Sequence, residues 1–260
     1  MTRTTMPALF LGHGSPMNTL ADNRYTQAWR SLGLALPKPQ AILAISAHWF
    51  LPEVMVTAMT APETIHDFGG FPQALFDVRY PAPGSPSLAA RVAELLSPLD
   101  VAADQTWGLD HGTWSVLAHL YPDADIPVVQ LSIDRSQPAR FHYDLGRRLA
   151  PLREAGILIV GSGNVVHNLM ALRRDASDTA HPWAERFERA VMERLRRGEH
   201  DALIDYPGLD REARLAVPTP EHYLPLLYVI GAMRADEAVS FPVHGIDMAA
   251  LSMLSVAVGA

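Results

Sequence analysis

Cysteine is absent from all 260 residues, which excludes disulfide frameworks, Cys-type zinc fingers, CxxC redox pairs and a cysteine nucleophile. Charge is sparse as well. Only 19% of residues are charged, and 28 acidic against 21 basic residues give a formal net charge of −7. Without a basic stripe to neutralise phosphates, nucleic acid is not an expected partner. Long hydrophobic runs are missing too: no apolar stretch reaches the roughly 18 residues of a membrane helix. The apolar run near the N-terminus is only about six residues, short for a signal-peptide core. What is present is an apolar fraction of 48%, unlike the compositions that keep chains disordered. The composition predicts one globular domain over residues 1–260, cytoplasmic, with no membrane partner and no oligomeric state assigned.

Short β-branched and Leu-rich runs alternate with longer helical patterns. Strands are expected over Ala8–Leu11, Ala41–Ser46, Val54–Ala58, Ile126–Ile133, Ile157–Val160 and Val239–Val243. Nearly continuous apolar runs of this length suit strands covered on both faces. Pro182–Arg197 is the clearest helix, with Trp183, Phe187, Val191 and Leu195 on one face, Pro182 in its first turn and Gly198 just past its end. Phe141, Leu145, Leu149 and Leu152 form a second stripe with Gly156 as its stop. Trp114, Leu117, Ala118 and Tyr121 form a third behind an Asp110 cap. The alternation predicts an α/β domain with a central mostly parallel or mixed sheet flanked by helices.

The polar clusters after these strands carry the chemistry. Ala8–Leu11 runs into Gly12-His-Gly-Ser-Pro16, Ala41–Ser46 into Ala47-His48-Trp49, and Ile157–Val160 into Gly161-Ser-Gly-Asn-Val-Val-His167. Ligands of open α/β sheets bind beyond the carboxyl ends of the strands, so three histidines are expected at one sheet edge. His13, between glycines, suits a metal or catalytic role; a tight turn or a phosphate nest is the alternative. For His48 the alternative is a hydrogen-bonded core histidine. The glycine-rich segment before His167 reads as a turn into a helix, leaving acid–base work and anion binding both open. His111, at a helix N-terminus, suits a neutral hydrogen-bond donor. Thr219 and Pro220 suit a helix start, though Pro225 would cost a hydrogen bond in a helix already running; either way Glu221 and His222 precede a buried segment and ask for a metal, a partner or a proton role. Of the other histidines among the 11, His119, His142, His181 and His200 read as solvated, and His66 and His244 as loop residues open to a site role.

The set Gly12-His-Gly-Ser-Pro16, Ser46-Ala-His-Trp49, Asp110-His-Gly-Thr-Trp114, Gly161-Ser-Gly-Asn-Val-Val-His-Asn168 and Pro218-Thr-Pro-Glu-His-Tyr223 resembles the extradiol ring-cleavage dioxygenases of the 4,5-DOPA dioxygenase type. These are relatives of the protocatechuate 4,5-dioxygenase catalytic subunit in the class III group. The likeness runs from about Met6 to the end of the chain. It implies a mononuclear non-haem site with His13, His48 and His222 as ligands, Glu221 as the alternative third ligand and His167 as a potential fourth. It also implies His167 as acid–base residue, His111 at the substrate hydroxyls, and a catechol and O₂ as reactants. The cofactor it implies is Fe(II), with Zn(II) held by the purified protein because imidazoles suit both metals. Trp49, Phe68, Phe71 and Trp114 are candidates to wall the aromatic ring, with a place in the core as the alternative for each. A Gly-His-Gly-Ser turn after a first strand also resembles tetrapyrrole chelatases, and a non-enzymatic, metal-binding Memo-like protein is a further reading.

Overall fold

Apolar runs that continue through both pleat faces can be stable only when each face is covered, and the strands obey that rule. The computed structural model describes residues 5–173 and 179–260; residues 1–4, the start of the segment read for a leader, lie outside them. The strands are β1 (Ala8–Gly12), β2 (Ala41–Leu51), β3 (Met55–Thr57), β4 (Ala102–Asp104), β5 (Val128–Asp134), β6 (Ile157–Gly163), β7 (Val239–Ser240), β8 (Ile246–Asp247), β9 (Leu251–Ser252) and β10 (Ser255–Val258). Eight of them form one mixed sheet in the order β4-β3-β5-β2-β6-β1-β10-β7, and β8 and β9 pair as a separate hairpin. The central β5, β2, β6 and β1 are parallel, and β10 closes on β1 antiparallel.

The longer helices are α1 (Arg24–Ala35), α2 (Pro86–Leu96), α3 (His111–Leu120), α4 (Ala139–Leu149), α5 (Pro182–Arg197) and α6 (Leu224–Gly231). Alternate residues of β1 show the two covered faces. Ala8 and Phe10 join a core with α2, α4, α5 and α6, whereas Leu9 and Leu11 join a core with α1 and α3. α5 has its expected bounds and ends on Gly198 at φ 64°, the left-handed conformation a helix stop favours. Asp110 caps α3 by accepting from Thr113 N–H at 3.1 Å.

Several expectations need correction. Proline cuts two strands short because it cannot donate to the ladder: β5 begins after Pro127, and β7 stops before Pro242. The stripe ending at Leu152 is two pieces, α4 and a one-turn helix Pro151–Glu154, broken at Pro151. Gly161–Gly163 is strand rather than turn, and His167 lies in a non-helical segment bridged to Leu251. No helix starts at Pro220; α6 begins at Leu224, where Pro225 falls in the first turn and its missing N–H costs nothing. The histidines expected in solvent are engaged. His142 is fully buried against the Tyr228 hydroxyl at 2.9 Å, and His119 is buried with Nε2 2.9 Å from Asn18 O. His181 and His200 are half-buried, bonded to Ala171 O and the Tyr143 hydroxyl. Among the described residues no helix is long and apolar enough to cross a membrane.

Candidate active site

The three adjacent parallel strands β1, β6 and β2 end on the same side of the sheet, and this brings distant histidines together. His13 follows β1 directly. His48 lies within the end of β2, not beyond it, where the β2–β5 register shifts between Ile45 and Phe50. A bulge there re-aims side chains: His48 turns to the site, and Trp49 is buried on the other side, stacked on Trp107 at 5.7 Å. His111 is the first residue of α3, and His222 stands two residues before α6. Gly112 makes the approach feasible, since a Cβ there would lie 2.4 Å from Ser46 Oγ and 2.9 Å from His48 Cδ2. The five histidines form one wall of a cavity of about 800 Å³, with Phe68, Phe71, Leu169, Leu172, Met248 and Leu251 supplying much of its apolar surface.

His13, His48 and His222 offer ligand atoms that all lie within 4.8 Å of one another. Their hydrogen bonds decide which nitrogens face inward. Ser162 Oγ donates to Gly112 O, so it accepts from His13 Nδ1, 3.0 Å away. His48 Nδ1 lies 3.2 Å from Asp67 Oδ2, and His222 Nδ1 donates to Glu221 Oε1 at 3.2 Å. Each Nδ1 faces an acceptor, which leaves each Nε2 with a lone pair. His13 Nε2 and His48 Nε2 are 3.3 Å apart, and His222 Nε2 is buried with no partner. Ligands about 2.0–2.1 Å from one tetrahedral ion stand roughly 3.3 Å from each other. Backing a ligand histidine through its other nitrogen is what metal sites do. The donor set therefore fits a metal ion.

Electrostatics agree. Burial holds His13 and His222 well below the usual imidazole range, and crowding by the other histidines adds to it. Burial likewise takes His167 down to about 4 and lowers His111. His48 goes the other way: burial opposes its charge, but the carboxylates of Asp67 and Asp110 outweigh it. Asp67 is pulled below the usual carboxylate range by His111 and His48, although its burial pushes upward. Neutral imidazoles are the form that binds metal, and the Asp67 carboxylate behind them favours one cation in the cluster.

His167 stacks on His222, with ring centroids 3.4 Å apart and planes within 6°. Glu221 lies behind the His222 ring, also accepting from the Thr219 hydroxyl, and is not part of the cavity wall. Phe71 and Phe68 line the cavity. Trp49 and Trp114 do not: both are core residues, and Trp114 Nε1 donates to Ile65 O. His66 bonds to Val78 O and His244 sits near Glu188, both outside the cavity wall. Sequence reading missed Asp67, whose Oδ1 accepts from the His111 backbone N–H at 2.9 Å and lies 3.0 Å from His111 Nδ1. It also missed Ser162 as the support of His13. Asp67 is 44 residues from His111, and no local pattern signals such a pairing.

Comparison with known proteins agrees with this arrangement. The chain is 57% identical to "4,5-DOPA dioxygenase extradiol" of Escherichia coli (strain K12), in an alignment covering 100% of this chain and 97% of that protein. It is 40% identical to the protein of the same name from Beta vulgaris over 86% of this chain and 85% of that one. A crystal structure of an uncharacterized protein from Escherichia coli K12 superposes with a TM-score of 0.86 at 51% identity, covering 97% of this chain and 99% of that one. Residues 7–259 match the family described as "Catalytic LigB subunit of aromatic ring-opening dioxygenase", and the chain belongs to that family.

Proposed function

We propose that the protein opens the ring of a catechol by extradiol cleavage, with an iron(II) ion held by His13, His48 and His222. The observation that carries this reading is the convergence of three backed Nε2 lone pairs beneath a cavity walled by Phe68 and Phe71. Iron(II) supplies the Lewis acidity that eases catechol deprotonation and the redox change that dioxygen requires. Everything else falls to the chain. Phe68 and Phe71 flank the ring, and Phe68 already packs edge-on to His111 at 5.4 Å. His111, with Asp67 behind its Nδ1, is set to hydrogen-bond a substrate oxygen through its other nitrogen. His167, neutral at pH 7 because burial lowers it to about 4, accepts a hydroxyl proton and returns it during ring opening.

His167 stands outside the ligand set in this reading. Its ring is stacked parallel on that of His222, so His167 would stay free for proton transfer while His13, His48 and His222 would hold the metal. Glu221 orients His222 and is not the third ligand. The same imidazoles bind zinc more tightly than iron(II) by the usual affinity order, so purified protein is expected to carry zinc. A cysteine-free chain suits the reducing cytoplasm. The name shared by the E. coli and Beta vulgaris relatives makes L-DOPA the first substrate to test.

Protein stripped of metal and reloaded anaerobically with Fe(II) should take up oxygen with L-DOPA and form a yellow ring-opened product. The Zn(II)-loaded protein should leave oxygen untouched, because zinc has no accessible redox change. If fully iron-loaded protein takes up no oxygen with any catechol, the reading fails. Retention of metal by His222→Ala, with its loss in Glu221→Ala, would overturn the ligand set.

A further inference from the structure

Resting on that reading, we propose that Asp247 is a specificity residue, whose carboxylate binds the protonated amine on the side chain of the catechol. Asp247 is the acidic residue on a cavity wall otherwise made of histidines, small polar residues and apolar side chains. No lysine or arginine lines that wall among the described residues. The Asp247 carboxylate is half-buried and, among the described residues, has no hydrogen-bond donor and no ion-pair partner. The Arg24 guanidinium comes close to this hairpin, its Nη2 2.6 Å from where a Cβ on Gly245 would lie, but it donates to the Tyr25 hydroxyl at 2.7 Å and makes no ion pair with Asp247. A half-buried carboxylate with no partner in the chain is free to accept a cation that enters the cavity, as a charge-assisted hydrogen bond.

Placement supports the same ligand. His167 bridges to Leu251, and Leu251 pairs with Asp247 across the β8–β9 hairpin. Two ladder steps of about 5 Å each put Asp247 roughly 10 Å from the His167 backbone. Residues paired across a ladder carry their side chains on one face, so His167 and Asp247 both rise into the cavity about 10 Å apart, a span that an arylethylamine fills, its hydroxyls at the histidines and its ammonium at Asp247. The hairpin is held firmly for this. Met248 and Ala249 both adopt the left-handed conformation, at φ 47° and 66°, which residues with a Cβ rarely do. Backbone bonds from Arg173 to Met248 O (3.0 Å), His181 to Ala249 O (3.0 Å) and Asn168 to Ala250 O (3.2 Å) keep them there. Such over-determined strain is characteristic of ligand clamps. The substrate class is therefore a catechol with a cationic side chain, and catechols with an acidic side chain are disfavoured.

The test compares iron-loaded wild type, Asp247→Asn and Asp247→Lys on dopamine, L-DOPA, 4-methylcatechol and 3,4-dihydroxyphenylpropionate. Wild type should favour dopamine over the propionate. Asp247→Asn should lower the dopamine to 4-methylcatechol ratio of kcat/KM by about ten- to a hundredfold, the usual effect of a lost bond to a charged group, mostly through KM. Asp247→Lys should reverse the order and favour the propionate. Calorimetric binding to the zinc-loaded proteins, which cannot turn over, should give the same ranking. If wild type handles the propionate as well as dopamine, or Asp247→Asn keeps the wild-type ratio, the proposal is wrong. Absence of cleavage alongside Asp247-dependent binding of dopamine would overturn the ring-cleavage reading and leave this one standing.

Discussion

Gly163 tests how the proposed metal site is held, because its hydrogen occupies the space through which β6 approaches His222. A Cβ built at Gly163 lies 2.2 Å from His222 O and 3.1 Å from His222 C. The first distance is about 1 Å short of van der Waals contact. The carbonyl cannot simply retreat, since it accepts the Asn164 N–H at 2.8 Å. Gly163→Ala therefore costs an overpacking term of about 1–3 kcal/mol and weakens a hydrogen bond worth about 1 kcal/mol. The sum, about 2–4 kcal/mol, is survivable for a domain with about 5–15 kcal/mol of stability. The functional loss should be larger. A backbone shift near 1 Å at a proposed ligand exceeds the roughly 0.2 Å tolerance of metal–ligand distances. Zinc affinity, measured by competition with a chromophoric chelator, should fall at least tenfold, alongside a lower melting temperature. Gly146→Ala is the control: its Cβ would sit 2.3 Å from Tyr228 O, between α4 and α6. That variant should lose comparable stability and keep its metal. If Gly163→Ala binds zinc as wild type does, or both variants lose metal equally, the proposed link between strand packing and ligand position is refuted.

Ser162→Ala leaves His13 Nδ1 buried without its acceptor, and zinc affinity should drop about 10–100-fold, as for other lost supports of ligands; an unchanged chelator titration would disprove the tautomer assignment. His167→Gln should keep metal and catechol binding but turn over about 10²–10⁴-fold more slowly for loss of acid–base catalysis; loss of the metal instead would make His167 a ligand. His142, outside the cavity wall, should shape acid stability. Burial lowers its pKa to about 4 from the usual imidazole value near 6.5, so the unfolded chain binds a proton first as the pH falls. Native stability should decline from about pH 6.5 to 4 by up to roughly 3 kcal/mol and then level off. Denaturant melts of His142→Asn should show a shallower decline over that window; an equally steep one would count against a buried neutral imidazole.

Much of this protein is readable from short stretches of chain. Continuous apolar runs such as Ile157–Val160 specify strands covered on both faces, and Asp110, Pro182 and Gly198 mark helix ends through backbone chemistry that needs no distant partner. His13, His48, His111, His167 and His222 were legible because each sits in a distinctive local motif. The supports of those histidines were not. Asp67 meets His48 and His111, Ser162 meets His13, and Asp247 comes beside the cavity through a hairpin bonded to Asn168, Arg173 and His181. Side-chain direction also escaped the reading. The β2 bulge sends His48 inward and buries Trp49 against Trp107, and the packing of α4 on α6 hides His142 against Tyr228. Local sequence determines backbone conformation because propensity, capping and burial pattern act over a few residues. Which nitrogens are left free in the cavity, and which carboxylate lines it, depends on atoms that only the folded chain brings within 3 or 4 Å.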